Sequence, residues 1–503
     1  MRQRFFRLQP TLPLTVRHEP VEALRQTQGE RSTQRTRFIA CVVLLVFLGG
    51  CAVGPDYQRP ATVDVSSFKE LAGWVPAVPA DALERGPWWS LFGDPLLDQL
   101  ASRVEVSNQN VALAVAAHAQ ARALVREQRA SLFPSVSLDG GASRSKNSGS
   151  SALIGTGTGG RIANNYQLSI GSSWEPDVWG RLSRQVDAAA AGAQASAADL
   201  ASARLSAQGE LAVNYFSLRQ TDTQKKLLES TIAGFQRTLE ITQNRYTAGI
   251  AAKTDVLQAQ TQLANTMAED AGLLRQRAQL EHAIAVLVGE APGNFSLEPV
   301  AWKPLVPELP VGLPSELLQR RPDIAAAERR VATANEQIGI AKSAYYPSLK
   351  LSASTGSGAS RVADLFKVSS SVWSLGLSAA QVLFDAGRIG ARVDGAQAAH
   401  AQAVARYRQT VLVAFQDVEN QLAATRVLLV QQDLRRQASE AADQVEQQVL
   451  NRYLSAQISY TEVITAQATA LSARRALVQA MADRQTTAVA LIQSLGGGWQ
   501  AGQ

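Results

Sequence analysis

Residues 244–260 read NRYTAGIAAKTDVLQAQ, and 207 positions later residues 451–467 read NRYLSAQISYTEVITAQ. The same offset places Gly180-Arg181 on Gly387-Arg388, Val186-Asp187 on Val393-Asp394 and Gly289 on Gly496. A constant offset over more than 100 residues marks an internal duplication. Further upstream, Leu132-Phe133-Pro134-Ser135 matches Tyr345-Tyr346-Pro347-Ser348 at an offset of 213, so the copies differ there by a net six residues.

Each copy repeats one order of elements: helix, strand, Gly/Ser loop, strand, long helix, tight turn, helix. In the first copy residues 96–131 form an Ala/Gln/Arg-rich helix that stops before Pro134. Residues 135–144 and 166–174 alternate Val136, Leu138, Leu168 and Ile170 with Ser, Asp and Gly, which predicts half-buried strands around a loop at 145–160. The second copy repeats this with strands at 348–354 and 372–382 around a loop at 356–370. Such strands approach the roughly 9 to 11 residues that cross a bilayer at a tilt. Four strands cannot close a barrel, and open edges are not tolerated in lipid, so a membrane role requires oligomerisation. Taken alone, the strands read equally as a soluble four-stranded sheet packed on helices.

Residues 181–246 and 388–453 run without proline and are rich in Ala, Gln and Leu. Each predicts a helix of about 100 Å. Leu228, Ile232, Phe235 and Leu239, and likewise Ala438, Ala442, Val445 and Val449, step by 4, 3 and 4, the spacing of a coiled-coil seam. Second helices at 254–288 and 461–495 return antiparallel after turns at 247–253 and 454–460, where Gly249 can supply a positive φ. Pro292, Pro304, Pro307, Pro310 and Pro314 punctuate an extended connector between the copies. Trp88-Trp89, at the end of an irregular N-terminal linker, reads as helix packing in preference to a ligand box.

The 503 residues carry 49 Lys+Arg against 43 Asp+Glu, a formal charge of +6. Residues 1–50 hold eight Arg and three Glu, a net of +5, which leaves +1 for residues 51–503. Without that leader no basic excess remains to neutralise phosphates, and nucleic-acid binding loses its support. Composition is 46% hydrophobic but only 6% aromatic, an Ala/Val/Leu balance that favours close helix-on-helix packing.

Arg35 and Arg37 precede an apolar run at 38–50, too short to span a bilayer as a helix but suited to a secretory signal. It ends Leu48-Gly49-Gly50-Cys51, which resembles a bacterial lipobox and implies cleavage before Cys51 and its acylation. A diacylglycerol with an N-acyl chain suffices for stable anchoring. Cys41 would be lost with the leader. The long, proline-interrupted stretch before Arg35 points to a translation start downstream of Met1.

Residues 317–349, LLQRRPDIAAAERRVATANEQIGIAKSAYYPSL, resemble the signature of the TolC-like outer membrane efflux proteins. The segments CAVGPDYQRP and WWSLFGDPLLDQL resemble their NodT-type lipoprotein branch, and both NRY turns fit the same pattern. The resemblance covers nearly all of residues 51–498. It implies an α+β membrane protein: a homotrimer with one twelve-stranded β-barrel, four strands per chain, continued by a periplasmic α-helical barrel. It further implies a passive exit duct without cofactor, working with a periplasmic adaptor and an inner-membrane RND transporter that supplies the energy. The implied segmentation is a signal peptide at 1–50, a lipidated linker at 51–94, efflux repeats at 95–289 and 315–498 with a connector at 290–314, and a tail at 499–503. Family members often narrow the periplasmic mouth with an acidic ring, and that position falls here on Thr465; Glu462 lies three residues earlier, with Asp255 as its counterpart in the first copy. Asp255 and Glu462 then line the entrance, or else occupy a solvated face or an intersubunit ion pair. Arg245 and Arg452, near helix C-termini, are expected to satisfy local carbonyls.

No enzyme signature competes. His118, His282 and His400 stand alone on Ala-rich helices, Gly155 to Gly160 is followed by Arg161-Ile162 where a phosphate loop needs Lys-Ser/Thr, and no G-x-S-x-G turn occurs. A lipid-anchored periplasmic coiled-coil scaffold would explain the long helices but not the duplicated strand pairs.

Overall fold

The structure, a computed structural model, describes residues 53–62, 68–71, 87–147, 161–307 and 320–497. The expected signal peptide, Cys51, the 155–160 loop and the 499–503 tail lie outside the described residues. The first copy comprises α1 (Pro95–Ser107), α2 (Gln109–Ala130), β1 (Ser135–Asn147), β2 (Arg161–Trp174), α3 (Arg181–Thr247) and α4 (Lys253–Leu287). The second comprises α5 (Pro322–Ser343), β3 (Ser348–Ala359), β4 (Ser371–Ala380), α6 (Arg388–Leu454) and α7 (Tyr460–Ser494).

The helix expected over 96–131 is two helices. At Asn108 the backbone turns extended (ψ 125°), and its side chain accepts from the N–H groups of Asn110 and Val111 to start α2. The same amide donates to the Leu287 carbonyl at 2.8 Å, tying the break to the end of α4. This is the competition between a local Asn cap and helix continuation, settled by a tertiary bond.

Both long helices hold 67 residues, about 100 Å. Each starts after a left-handed glycine, Gly180 or Gly387, beside a carboxylate that accepts early helical N–H groups: Asp177 from Leu182 and Ser183, Asp385 from Gly387 and Ile389. Each also ends alike. Gly249 (φ 76°) donates to the Tyr246 carbonyl, and at the duplicate position Ala456 (φ 58°) donates to that of Tyr453. A left-handed alanine costs about 1–2 kcal/mol, so the second copy keeps the turn geometry despite losing its glycine.

α4 returns along α3 and α7 along α6, while α5 packs against both long helices. The main core sits near mid-length of the long helices, where Leu211, Tyr215, Leu218, Val418 and Leu422 meet Leu97, Val104, Ile284 and Val489. Trp88 and Trp89 are buried in this belt, edge to face at 5.8 Å, with the Trp88 indole donating to Gln208. Leu228 and Phe235 bury as the seam spacing predicts. The second predicted seam does so only in part: Val449 packs half-buried beside Tyr453, but Ala438 and Val445 are exposed and Ser439 is buried instead. An Ala/Gln-rich helix presents small apolar residues on every side, so spacing alone does not choose the packed face.

An N-terminal strap runs from the start of α3 onto the second copy. The Val53 N–H bonds the Trp179 carbonyl, the Pro55 carbonyl accepts from Arg184 and Asn335, and the Tyr57 hydroxyl meets Glu328. Farther along, Phe68 packs on Phe415 and the N–H groups of Lys69 and Glu70 bond the Glu419 carboxylate.

Candidate functional site

The four strands form one antiparallel sheet in the order β1-β2-β3-β4, which leaves β1 and β4 as unpaired edges within the chain. Register sorts the side chains onto two unlike faces. Val136 and Leu138 lie opposite Ser172 and Ile170; across the sheet Ile170 meets Thr355, Trp174 meets Leu351, and Leu351 meets Leu377. On this face Trp373, Leu375 and Leu377 are 79%, 76% and 71% exposed. The reverse face carries Ser137, Asp139, Gly141, Gln167, Ser169, Gly171, Ser352, Ser354, Ser374 and Gly376. An apolar face left open beside a polar one is the pattern of a lipid-facing wall around a wet interior. The strands also run longer than apolar alternation predicts, to Asn147 and Ala359, because their outer ends are mostly Ser, Gly and Asn, with Arg144 and Lys146 among them. Among the described residues no helix is long and apolar enough to cross a membrane.

At the opposite end the two duplicated turns meet. Arg245 donates from Nη1 to the Tyr453 carbonyl at 2.9 Å, and its guanidinium lies 4.7 Å from the Tyr453 ring centroid. The Tyr453 hydroxyl sits 3.4 Å from Thr242 Oγ1, and its ring lies 5.4 Å from that of Tyr460. Tyr453, Tyr460, Val463 and Ala259 form a small buried cluster joining the copies. The Tyr460 phenol is pushed up to about 12 by burial first, then by Tyr453 and the Asp255 carboxylate. Glu462 is exposed and shares an open groove with Thr465, Ala442, Val445 and Val449; Thr465 itself bonds the Thr461 carbonyl at 2.9 Å.

The family profile described as "Outer membrane efflux protein" matches residues 100–290 and 313–497. The chain belongs to the outer membrane efflux protein family. Among outer membrane efflux relatives, the "Probable efflux pump outer membrane protein TtgC" of Pseudomonas putida is 31% identical over 471 residues, covering 92% of this chain and 96% of that protein. The "Pyoverdine export outer membrane protein OpmQ" of Pseudomonas aeruginosa is 31% identical over 472 residues, covering 92% and 97%. Among solved structures, the outer-membrane channel OprN superposes with a TM-score of 0.83 at 31% identity, covering 90% of this chain and all of that one. The open state of the Neisseria gonorrhoeae MtrE outer membrane channel gives 0.78 at 28% identity, covering 90% and 99%. The expected family, its α+β architecture and its outer membrane location are thus established.

Within this outer membrane efflux fold the structure places the candidate residues unevenly. Asp255 lies in the first turn of α4, near enough to Tyr460 of the other copy for its charge to act on that phenol, whereas Glu462 lies in the first turn of α7 on the exposed groove; neither enters an ion pair among the described residues. Arg245 satisfies a helix-end carbonyl as expected, but that of the other copy, while Arg452 is exposed. Sequence reasoning missed Tyr453 and Thr242, whose contact spans 211 residues; the repeated NRY triplet was the available signal. His118, His282 and His400 lie on three separate helices. Among the described residues no three His, Cys, Asp or Glu side chains converge as metal ligands would.

Proposed function

We propose that three copies of this chain close their sheets into one twelve-stranded barrel and their helices into a periplasmic tube. This is the passive outer membrane exit duct of a tripartite RND-type efflux system for drugs or other small molecules. The observation that carries it is the two-faced sheet with two open edges, fused to helices of about 100 Å. An open edge in lipid strands unpaired N–H and C=O groups, so the sheet is complete only when β4 meets β1 of another copy. A periplasmic adaptor and an inner-membrane transporter are the partners such a duct requires, and the relatives' naming as efflux pump proteins supports them.

Cys51 fits its role as the lipid attachment point. Val53 is held at the Trp179 carbonyl, and Trp179 stacks on Tyr346 at 4.8 Å beside the start of β3, at the helix-side rim of the sheet. Two residues of chain reach at most about 7 Å, so acyl chains on Cys51 would enter the membrane at that rim.

The duplication supplies the register between copies. Carrying the β2–β3 pairing onto the next repeat places Ser374 opposite Ser145 of the neighbour, as Gln167 lies opposite Gly358 within the chain. This register keeps apolar residues on one face throughout, as a barrel demands. Residues 52–503 contain no cysteine, so a chain carrying S145C and S374C should form disulfide-linked trimers under mild oxidation. Stronger cross-linking of S374C with S143C or N147C would replace the register.

Purified trimers in planar bilayers test the duct itself, and absence of conductance from well-folded trimers under opening conditions would overturn it. Asp255→Asn with Glu462→Gln should lower cation-over-anion permeability by about two- to fivefold at low salt. Unchanged selectivity removes both carboxylates from the entrance.

A further inference from the structure

We propose that the outer rim of the sheet binds the phosphate groups of outer-leaflet glycolipids through Arg144, Lys146 and Arg361, an inference that rests on the membrane-spanning reading of the sheet. Along β1 the residues on the apolar face run Val136, Leu138, Gly140, Ala142, Arg144, Lys146. Both cations therefore point the same way as the lipid-facing side chains and away from the polar interior. Arg144 lies opposite Asn164 of β2 and Lys146 opposite Ile162. The last β2–β3 pair is Tyr166 with Ala359; Arg361, two residues on in the bend that follows β3 (φ −134°, ψ 141°), lies at the same end of the sheet. One row thus reads Arg144 and Asn164, at the end of the sheet where the bend carrying Arg361 follows β3.

Depth places this row at a headgroup level. From Val136 to Arg144 the strand rises about 27 Å, or roughly 20 Å along the membrane normal at a tilt near 40°, close to the far limit of an apolar band about 25 Å tall. Tyr166, opposite Ala142, stands one outward step below Arg144, where interfacial aromatic residues concentrate. The strands end here on the side away from the helices, so this rim faces the outer leaflet.

Charge leaves Arg144 and Lys146 without protein partners. Residues 140–174 contain Arg144, Lys146 and Arg161 and no Asp or Glu. The second hairpin carries Arg361 and Lys367 against Asp364; Lys367 pairs with that carboxylate at 2.6 Å, and Arg361 acts on it more weakly, so the hairpin keeps one positive charge in excess. Arg144, Lys146 and Arg361 are exposed, and among the described residues neither Arg144 nor Lys146 has a hydrogen-bonded acceptor. No carboxylate occupies any apolar-face position of the four strands, so the adjoining edge of a second copy offers none either. A multiply phosphorylated glycolipid headgroup supplies several anionic oxygens at this height, and Arg forks bind such groups in bidentate fashion.

The test is native mass spectrometry of purified trimers with diphosphorylated lipid A and with its phosphate-free form. Removing cations should weaken the diphosphorylated lipid by about fivefold each, and Arg144→Gln/Lys146→Gln/Arg361→Gln together by roughly a hundredfold. Lys350→Gln, on the polar face, should leave affinity unchanged, and Arg144→Lys/Lys146→Arg should retain it. Equal binding by the triple variant or by the phosphate-free lipid overturns the proposal. Competition by inorganic phosphate at the lipid's own concentration overturns its commitment to lipid. A triple variant that conducts and still binds normally sinks this inference alone, whereas wild-type trimers that never conduct sink the channel reading beneath it.

Discussion

Arg245→Ala should raise the single-channel conductance of the trimer severalfold. Arg245 of the first copy grips the second at the helical tip through a 2.9 Å bond to the Tyr453 carbonyl and a guanidinium 4.7 Å from its ring. A hydrogen bond with one charged partner contributes about 1.5–3 kcal/mol, and a partly shielded cation–π contact about 0.5–1 kcal/mol. Losing about 2 kcal/mol in each chain shifts the docked state of that join by roughly thirtyfold. If the tip is the entrance, a loosened join widens it. Amide exchange over residues 451–460 should quicken in parallel. Arg452→Ala is the internal control, since the duplicate arginine is exposed and should change conductance little. Parental conductance in trimers of Arg245→Ala would show that the tip does not set the resistance of the channel.

A second large effect is expected where the N-terminal strap crosses α5. Gly54 has a φ of 124°, and a Cβ built on it falls 2.6 Å from the Gly339 backbone. Gly54→Val should therefore unseat the strap, combining backbone strain with a clash that no side-chain rotation relieves. The Val53 bond to Trp179 and the Pro55 carbonyl's bonds from Arg184 and Asn335 would go with it. Arg184, its side chain 7% exposed, would keep only Glu336 as a close partner. Together these changes cost about 2–4 kcal/mol. Limited proteolysis at 53–71 should accelerate by roughly 30- to 1,000-fold, while Asp56→Ala, whose carboxylate is fully exposed, should leave protection unchanged. Equal protection of Gly54→Val and the parent would mean the strap is held elsewhere.

Much of this architecture was legible because the chain says it twice. Proline-free stretches delimited α3 and α6 to within a residue or so, and alternation located all four strands. What stayed hidden has physical causes. Asn108 breaks a run that otherwise looks continuously helical, and only its bond to Leu287, 179 residues away, decides the matter. Apolar alternation ends before the strands do, because Arg144, Lys146 and the small polar residues around them still belong to the sheet. Helices built from Ala and Gln do not announce which side is covered, so the 438–449 seam pointed to a face that is open within one chain. At the tip, the NRY repeat marked the place, but equal sequences carry unequal contacts: Arg245 is docked and Arg452 is not.

The strap also imposes an order of events. From Tyr57 onward its bonds join residues 57–70 to residues 328–426, separations of 271 to 356 positions. Contacts so distant along the chain close late, and none can form until α5 and α6 have been delivered across the inner membrane and folded. The segment that leaves the cytoplasm first is therefore among the last to find its place, and its docking reports that the whole chain has arrived.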